Sequence, residues 1–333
     1  MKACLFAHYD PTHRVRPHVV DYTRALVDAG FTVAVASSST IRPPSADLAP
    51  FEQMGVQFVW RPNTGLDFGA WRELMRQGHA DGAEAVLLAN DSVFGPFGDL
   101  QRVIRRMCRR RYDAWGMVES LQSGWHLQSW FIYLSARALA RPGVRAVFEQ
   151  PFETMTKDEI IRNGELGLGR ALRAERLRCG AVNRSLLRRA LVRLVPASVN
   201  NPSHLDWRHF LVTGKVPFLK AELVRDNPLA IAWADEWHDV IERRLGYPTD
   251  SVSAYLYEYA DRPPRDPDAP FRPPAGKPFR AKEFVHYAIQ ATDWRIVLRH
   301  IRTLPKWWPE DRKYSRDCFN RATAPLRVGL GDG

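Results

Sequence analysis

Apolar and polar positions change period several times along the first part of the chain. Residues 2–8 form a short apolar run that ends in Tyr9-Asp10-Pro11, which predicts a strand closed by a turn. Val19, Val20, Tyr22, Ala25, Leu26 and Val27 then recur at helical spacing over residues 17–29, and Gly30 stands where a glycine stops a helix. The β-branched run at 31–36 predicts a second strand. Strand, helix and strand at this spacing make a parallel pair joined by a right-handed crossover.

A second round follows. It predicts a helix at 46–54, a strand at 56–60, a helix at 67–78 with Phe68, Trp71, Leu74 and Met75 on one face, and a strand at 86–89. Residues 100–111 read as a basic amphipathic helix with Val103, Ile104 and Met107 inward, and 112–118 and 126–134 as two more strands. The expected fold is α/β, a doubly wound and mostly parallel sheet with a helical C-terminal part. In that later part, 157–177, 185–194 and 230–245 read as helices and 217–228 as an ordered connection. The stretch 262–278 reads as a Pro-rich linker and 281–308 as a basic, aromatic helix. The expected organisation is 1–215, 216–262, a linker at 263–280 and a tail at 281–333.

Composition narrows the classes. The 333 residues are 45% hydrophobic, enough for one large core or two modest ones. No apolar run reaches membrane-spanning length, and the N-terminus reads as a strand rather than a secretory signal, so a cytoplasmic setting is expected. Cys4, Cys108, Cys179 and Cys318 lack the spacing of a disulfide framework or zinc site. The excess of 48 Lys+Arg over 37 Asp+Glu gives a net +11 and favours anionic partners. Zinc-finger, RNA-binding and helix-turn-helix patterns are missing, so nucleic acid is not expected.

Two stretches carry candidate chemistry. In residues 83–96 an apolar strand ends in Asn90-Asp91-Ser92, closed by Gly95-Pro96, and ligands bind at such carboxyl edges of open α/β sheets. A carboxylate there suits a divalent metal held against a diphosphate, although the same tripeptide also makes an ordinary turn. In Asn63-x-Gly65-x-Asp67-x-Gly69, glycines would let backbone amides approach a phosphate while Asn63 and Asp67 bond base or sugar; a helix start capped by Asp67 reads the same way. Glycosyl transfer by displacement needs a base, for which Asp113, Glu119, Glu159 and Glu165 are candidates. Glu165 is expected in the first turn of a helix, where a carboxylate is stabilised and where glutamates are also common for structural reasons. His126 and Gln128 share one strand face and suit a sugar acceptor or a half-buried sheet.

Taken in order, His8-Tyr9-Asp10, Asn63-Thr-Gly-Leu-Asp67-Phe-Gly-Ala-Trp71, Asn90-Asp-Ser-Val-Phe-Gly-Pro96, Asp113-Ala-Trp-Gly116, His126-Leu-Gln-Ser-Trp-Phe131 and Glu165-Leu-Gly-Leu168 closely resemble the rhamnan synthesis protein F family. The segment 200–227, with Pro217-Phe-Leu-Lys220, is similar to its downstream region. The resemblance implies a GT-A-like fold and a glycosyltransferase of bacterial cell-envelope polysaccharide synthesis, often moving rhamnose from dTDP-L-rhamnose. By its order of motifs it implies an inverting mechanism.

On that resemblance Asp10, Asn63, Gly65, Asp67, Asn90 and Ser92 would hold the nucleotide sugar and Asp91 a metal and the diphosphate. Glu165 would be the base, and Asp113, Trp115, His126 and Gln128 would face the acceptor. The motif departs from the pattern in having one carboxylate, which leaves a divalent metal (Mg or Mn) open, and in following Glu165 with Leu166 rather than Asp. The expected partners are a nucleotide sugar and a saccharide, lipid-linked or polymeric. Residues 281–308, with Arg295, Arg299, Arg302 and Lys306 near Trp294, Trp307 and Trp308, suit peripheral contact with the cytoplasmic membrane or packing back on the domain. A non-catalytic binding subunit of a polysaccharide complex is the alternative.

Overall fold

The computed structural model describes residues 1–121, 123–184, 201–227, 231 and 234–259. The expected helix at 185–194, the linker at 263–280 and the tail at 281–333 lie outside the described residues. The first crossover forms as expected: β1 (Lys2–His8), α1 (Pro17–Asp28) and β2 (Phe31–Ser38), with β1 and β2 parallel and Lys2 opposite Phe31. Then come α2 (Ser45–Gln53), β3 (Gln57–Arg61), α3 (Leu66–Arg76) and β4 (Ala85–Asn90), which pairs parallel with the other side of β1.

Beyond β4 the sheet becomes mixed. The short β5 (Val93–Phe94) and α4 (Leu100–Cys108) lead to β6 (Ala114–Ser120), β7 (His126–Leu127) and β8 (Phe131–Ser135). The expected single strand at 126–134 is thus broken in two at Gln128-Ser129-Trp130. β8 inserts antiparallel between β4 and β6. The main order is β3-β2-β1-β4-β8-β6-β7, and β9 (Cys179–Asn183) pairs parallel with β6. Antiparallel β8 and the short β9 escape a reading of periodicity because runs buried on both faces carry no direction.

Both faces of this sheet are covered, and the period of two in each strand sorts the core. Cys4, Phe6, Val33, Val35, Leu87 and Ala89 join the cluster under α1 and α4. Ala3, Leu5, Ala7, Ala34, Ala36, Val86 and Leu88 join the one under α3, beside Phe68, Trp71 and Leu74. Trp71 is fully buried and its Nε1 donates to the Ala89 carbonyl at 3.0 Å, tying α3 to the end of β4.

A third cluster joins Phe94 and Phe97 to Leu205, Trp207, Leu211, Leu219, Leu223, Val240, Ile241 and Val252. Strand β10 (Leu219–Lys220) pairs antiparallel with β5, so the expected boundary near 215 falls inside a packed unit. Where one helix was expected at 230–245, the described part is a continuous helical stretch whose winding changes from 3-10 at Ala234–Glu236 through α at Trp237–Asp239 to π at Val240–Arg244. A final helix, Asp250–Tyr259, packs on α1.

The helix bearing Glu165 begins at Lys157, as expected, so Glu165 lies in its middle rather than in its first turn. Thr156 and Glu159 form a reciprocal capping box at the start of α5 (Lys157–Ile160), and a π-helical turn, Ile161–Glu165, runs on into α6 (Leu166–Ala174). Gly164 permits the close approach to α3: a Cβ there would meet the Phe68 ring at 2.8 Å. We expect Gly164→Ala to cost about 1–3 kcal/mol in urea unfolding by over-packing this contact. An exposed control such as Arg162→Ala should stay within about 0.5 kcal/mol.

Candidate active site

Four distant segments meet at the carboxyl end of β4. Strand β4 delivers Asn90, whose Nδ2 donates to Asp67 Oδ2 at 2.6 Å, in the first turn of α3. Asn90 Oδ1 accepts from the Ser92 amide at 3.1 Å and from its hydroxyl at 2.5 Å. Lys220, in β10, donates from Nζ to Ser92 Oγ at 2.7 Å. A continuous polar string, Asp67–Asn90–Ser92–Lys220, therefore crosses the sheet edge.

Asp91 points the other way along the same edge. Its Oδ2 accepts the Tyr9 amide at 2.8 Å and lies 3.9 Å from His8 Nε2, and its side chain is 18% exposed. Loss of water raises its pKa, and the nearby charges of Asp67 and Asp10 add to this against the Tyr9 bond, pushing it up to about 8. His8 is buried, donating to or accepting from Ser37 Oγ at 2.9 Å, and burial lowers it to about 4. At neutral pH the His8–Asp91 contact therefore joins two neutral groups.

Glu165 approaches from the π-helical turn, a helix distortion frequent at functional sites. Its Oε1 accepts the Ser129 amide at 2.9 Å and lies 3.8 Å from His126 Nε2, while Oε2 makes no hydrogen bond among the described residues. The field of Glu165 reaches both Asp67 and Lys220. Desolvation raises Asp67, helped by Glu165 and opposed by Asn90 and Lys220; desolvation likewise lowers Lys220, opposed by Asp67, Glu222, Glu165 and Asp91. The edge so formed gathers Asp67, Asp91, Glu165 and Glu222 about the amine of Lys220.

The structure thus gathers Asp67, Asn90, Asp91, Ser92, Glu165 and His126. Others go elsewhere. Gly65 is left-handed at φ +71° and packs against Phe152, so it turns the chain into α3 rather than leaving room for a ligand. Asn63 is exposed beside it. Asp10 is occupied: burial would raise its pKa, but Arg16 Nε at 2.9 Å and the Thr12 amide and hydroxyl hold it down at about 2.

Four expectations need correcting. Trp115 is fully buried between the Phe131 and Tyr133 rings, so it is core rather than an acceptor surface. Asp113 lies just before β6, where its carbonyl accepts the amide of Ser135 opposite Ala85, about 16 Å along the sheet from Asn90. Its carboxylate takes the Arg178 amide at 2.7 Å, away from the cleft. Gln128 is buried with both ends of its amide engaged, by Asn201 at 2.8 Å, Trp130 at 2.9 Å and Ser203. Finally, Glu165 is mid-helix, so the Ser129 amide and His126, not a helix N-terminus, hold it.

Sequence reasoning missed Lys220 and His8 as site residues. The available signal was a lone cation directly after the apolar Val216-Pro-Phe-Leu run, and a lone imidazole closing the apolar β1. Among the described residues no three His, Cys, Asp or Glu side chains form a cage for a metal ion.

The raised Asp91 has a stability consequence. Folded, it keeps its proton up to about pH 8, whereas the unfolded chain releases it near pH 4, so its contribution is full below pH 4 and is lost as pH rises to 8. We expect Asp91→Asn to stabilise the fold increasingly over that window, by up to about 1.4 kcal/mol per pH unit, in parallel denaturant titrations of both proteins. A pH-independent difference between them would refute the assignment.

The model of the family described as "Rhamnan synthesis protein F" matches residues 33–264, which contain Asp67, Asp91, Glu165 and Lys220. Two curated relatives, both called virulence protein VirA and both from Vibrio anguillarum (one from strain ATCC 68554 / 775), are 27% identical over 197 residues, 51% of this chain and 63% of theirs. The chain thus spans less than two thirds of their length. With more than half of its sequence and most of the cleft under the family model, the chain belongs to the rhamnan synthesis protein F family.

Proposed function

We propose that the protein is a glycosyltransferase of cell-surface polysaccharide synthesis, with a GT-A-like fold, transferring a sugar from a nucleotide donor to a saccharide acceptor. Rhamnose from dTDP-L-rhamnose is the first candidate donor, and a lipid-linked or polymeric glycan the acceptor. The observation that carries this reading is the meeting of Glu165, Asp67, Asp91 and Lys220 at the carboxyl edge of a parallel β1–β4 pair. Family membership supports the chemistry.

In this reading Glu165 is the base. Its free Oε2 takes the proton of the acceptor hydroxyl as that oxygen attacks the anomeric carbon, and the bond to the donor's diphosphate breaks with inversion. The Ser129 amide and His126 hold the other carboxylate oxygen, which keeps Glu165 oriented. Lys220 and Ser92 sit where negative charge gathers on the departing diphosphate. A divalent ion, Mg2+ or Mn2+, bound with the donor would rest on Asp91 and phosphate oxygens and supply further charge neutralisation there.

Glu165→Gln keeps the Ser129 contact but cannot accept a proton. Its kcat should fall by about 100-fold or more, with donor affinity and melting temperature close to wild type. Undiminished turnover would reject Glu165 as base. Because Asp91 must lose its proton to hold a cation, metal-dependent donor binding, followed by calorimetry, should strengthen by up to about tenfold per pH unit below pH 8. A flat pH profile would exclude Asp91 as the ligand.

A non-catalytic binding subunit is the second reading. It is favoured by how fully the cleft's polar groups already satisfy one another, Asp67 through Asn90, Ser92 through Lys220 and Asp91 through Tyr9. Nucleoside diphosphate release on addition of acceptor separates the two.

A further inference from the structure

The edge of the sheet opposite the cleft has its own character. Helix α4 carries its apolar face inward, with Leu100, Val103, Ile104 and Met107 buried. Its outer side and the turn after it bear Arg102, Arg105, Arg106, Arg109, Arg110 and Arg111, all exposed, with no acidic residue between Asp99 and Asp113. Arg105 reaches back to Asp99 at 3.9 Å and to Gln101 at 3.0 Å. Among the described residues the other five make no ion pair.

This helix borders the edge where the strands begin. Gln101 Nε2 donates to the carbonyl of Asp28, at the end of α1, at 2.6 Å. Between α4 and the start of β1 lies an open cavity of about 320 Å³, lined by Lys2, Ala29, Gln101, Ile104, Arg105, Cys108 and Arg109. Three of its side chains are cationic and the exposed Asp28 is the nearest acidic neighbour along the chain. A cavity of this size and charge suits a phosphate-bearing headgroup. Exposed arginines arrayed along one helix suit a surface that presents many such groups in a plane.

We propose that the arginine face of α4, together with Lys2 and the cavity between them, docks on an anionic phospholipid bilayer. Charge complementarity carries the assignment: a cluster of four to eight basic residues on an amphipathic helix is the footprint of anionic lipid recognition. Nucleic acid is the less favoured occupant because no exposed aromatic side chain interleaves with these arginines to stack on bases. Docking here turns the cleft away from the lipid by the length of β4, about 20 Å. That geometry suits the distal end of a long acceptor. The surface stands independently of the proposed transferase reaction.

The test uses the full chain with vesicles of phosphatidylcholine alone or mixed with phosphatidylglycerol, in co-sedimentation at low and high salt. Binding should require phosphatidylglycerol and weaken with salt. The triple variant Arg105→Glu/Arg106→Glu/Arg109→Glu, which reverses each charge, should lose more than about fivefold per arginine, over roughly 100-fold in all, with an unchanged circular dichroism melt. Arg105→Gln/Arg109→Gln, which only removes charge, should lose roughly 25-fold. Binding by both variants equal to wild type, or no binding of wild type to either vesicle, overturns the proposal. Tighter binding to duplex DNA than to anionic vesicles at equal salt overturns it in favour of nucleic acid.

Discussion

Four carboxyl groups, those of Asp67, Asp91, Glu165 and Glu222, act on the one amine of Lys220 at the end of an otherwise apolar sheet, and much of the molecule answers to that arrangement. Burial penalises the charged forms of Asp67, Asp91 and Lys220. The molecule resolves this by separating the groups chemically. Asp67 is held by Asn90, Asp91 retains its proton beside a neutral His8, and Glu165 is fixed by a backbone amide. The carboxyls of this edge are therefore given different partners, the kind of arrangement by which a site separates the roles of its acids.

The surrounding architecture holds these groups in register. Trp71 fastens α3 to β4 and so sets Asp67 against Asn90. The π turn and Gly164 let the Glu165 helix rest on Phe68 of the same α3, which sets Glu165 and Asp67 on a common support. The pairing of β10 with β5 brings Lys220 back across more than a hundred residues to Ser92. Groups mounted on packed helices and strands in this way need little reorganisation when a charged substrate arrives.

Charge is distributed with the same economy at the two ends of the sheet. The acid-rich edge collects groups that compensate one another, whereas the exposed arginines of α4 are left in water, where an isolated cation costs little. The exposed arginines of α4 thus give one edge of the sheet a basic character that the opposite edge, with its several carboxyls, does not share.

Local pattern determined the elements up to β4 and the sheet edge at Asn90-Asp91-Ser92, because strand and helix periodicity, helix stops and turn residues act over a few neighbours. It also brought Asp67 and Glu165 forward as candidates. Direction and partnership were decided only in three dimensions. Nothing local distinguishes antiparallel β8 from a parallel strand, the core Trp115 from an exposed one, or an Asp113 at the far edge from one in the cleft. Lys220 and the Ser129 amide joined the site through pairings between residues far apart in sequence. A side chain's polarity and spacing are written in its neighbours along the chain, but its protonation, its partners and its access to solvent depend on what the folded chain brings against it.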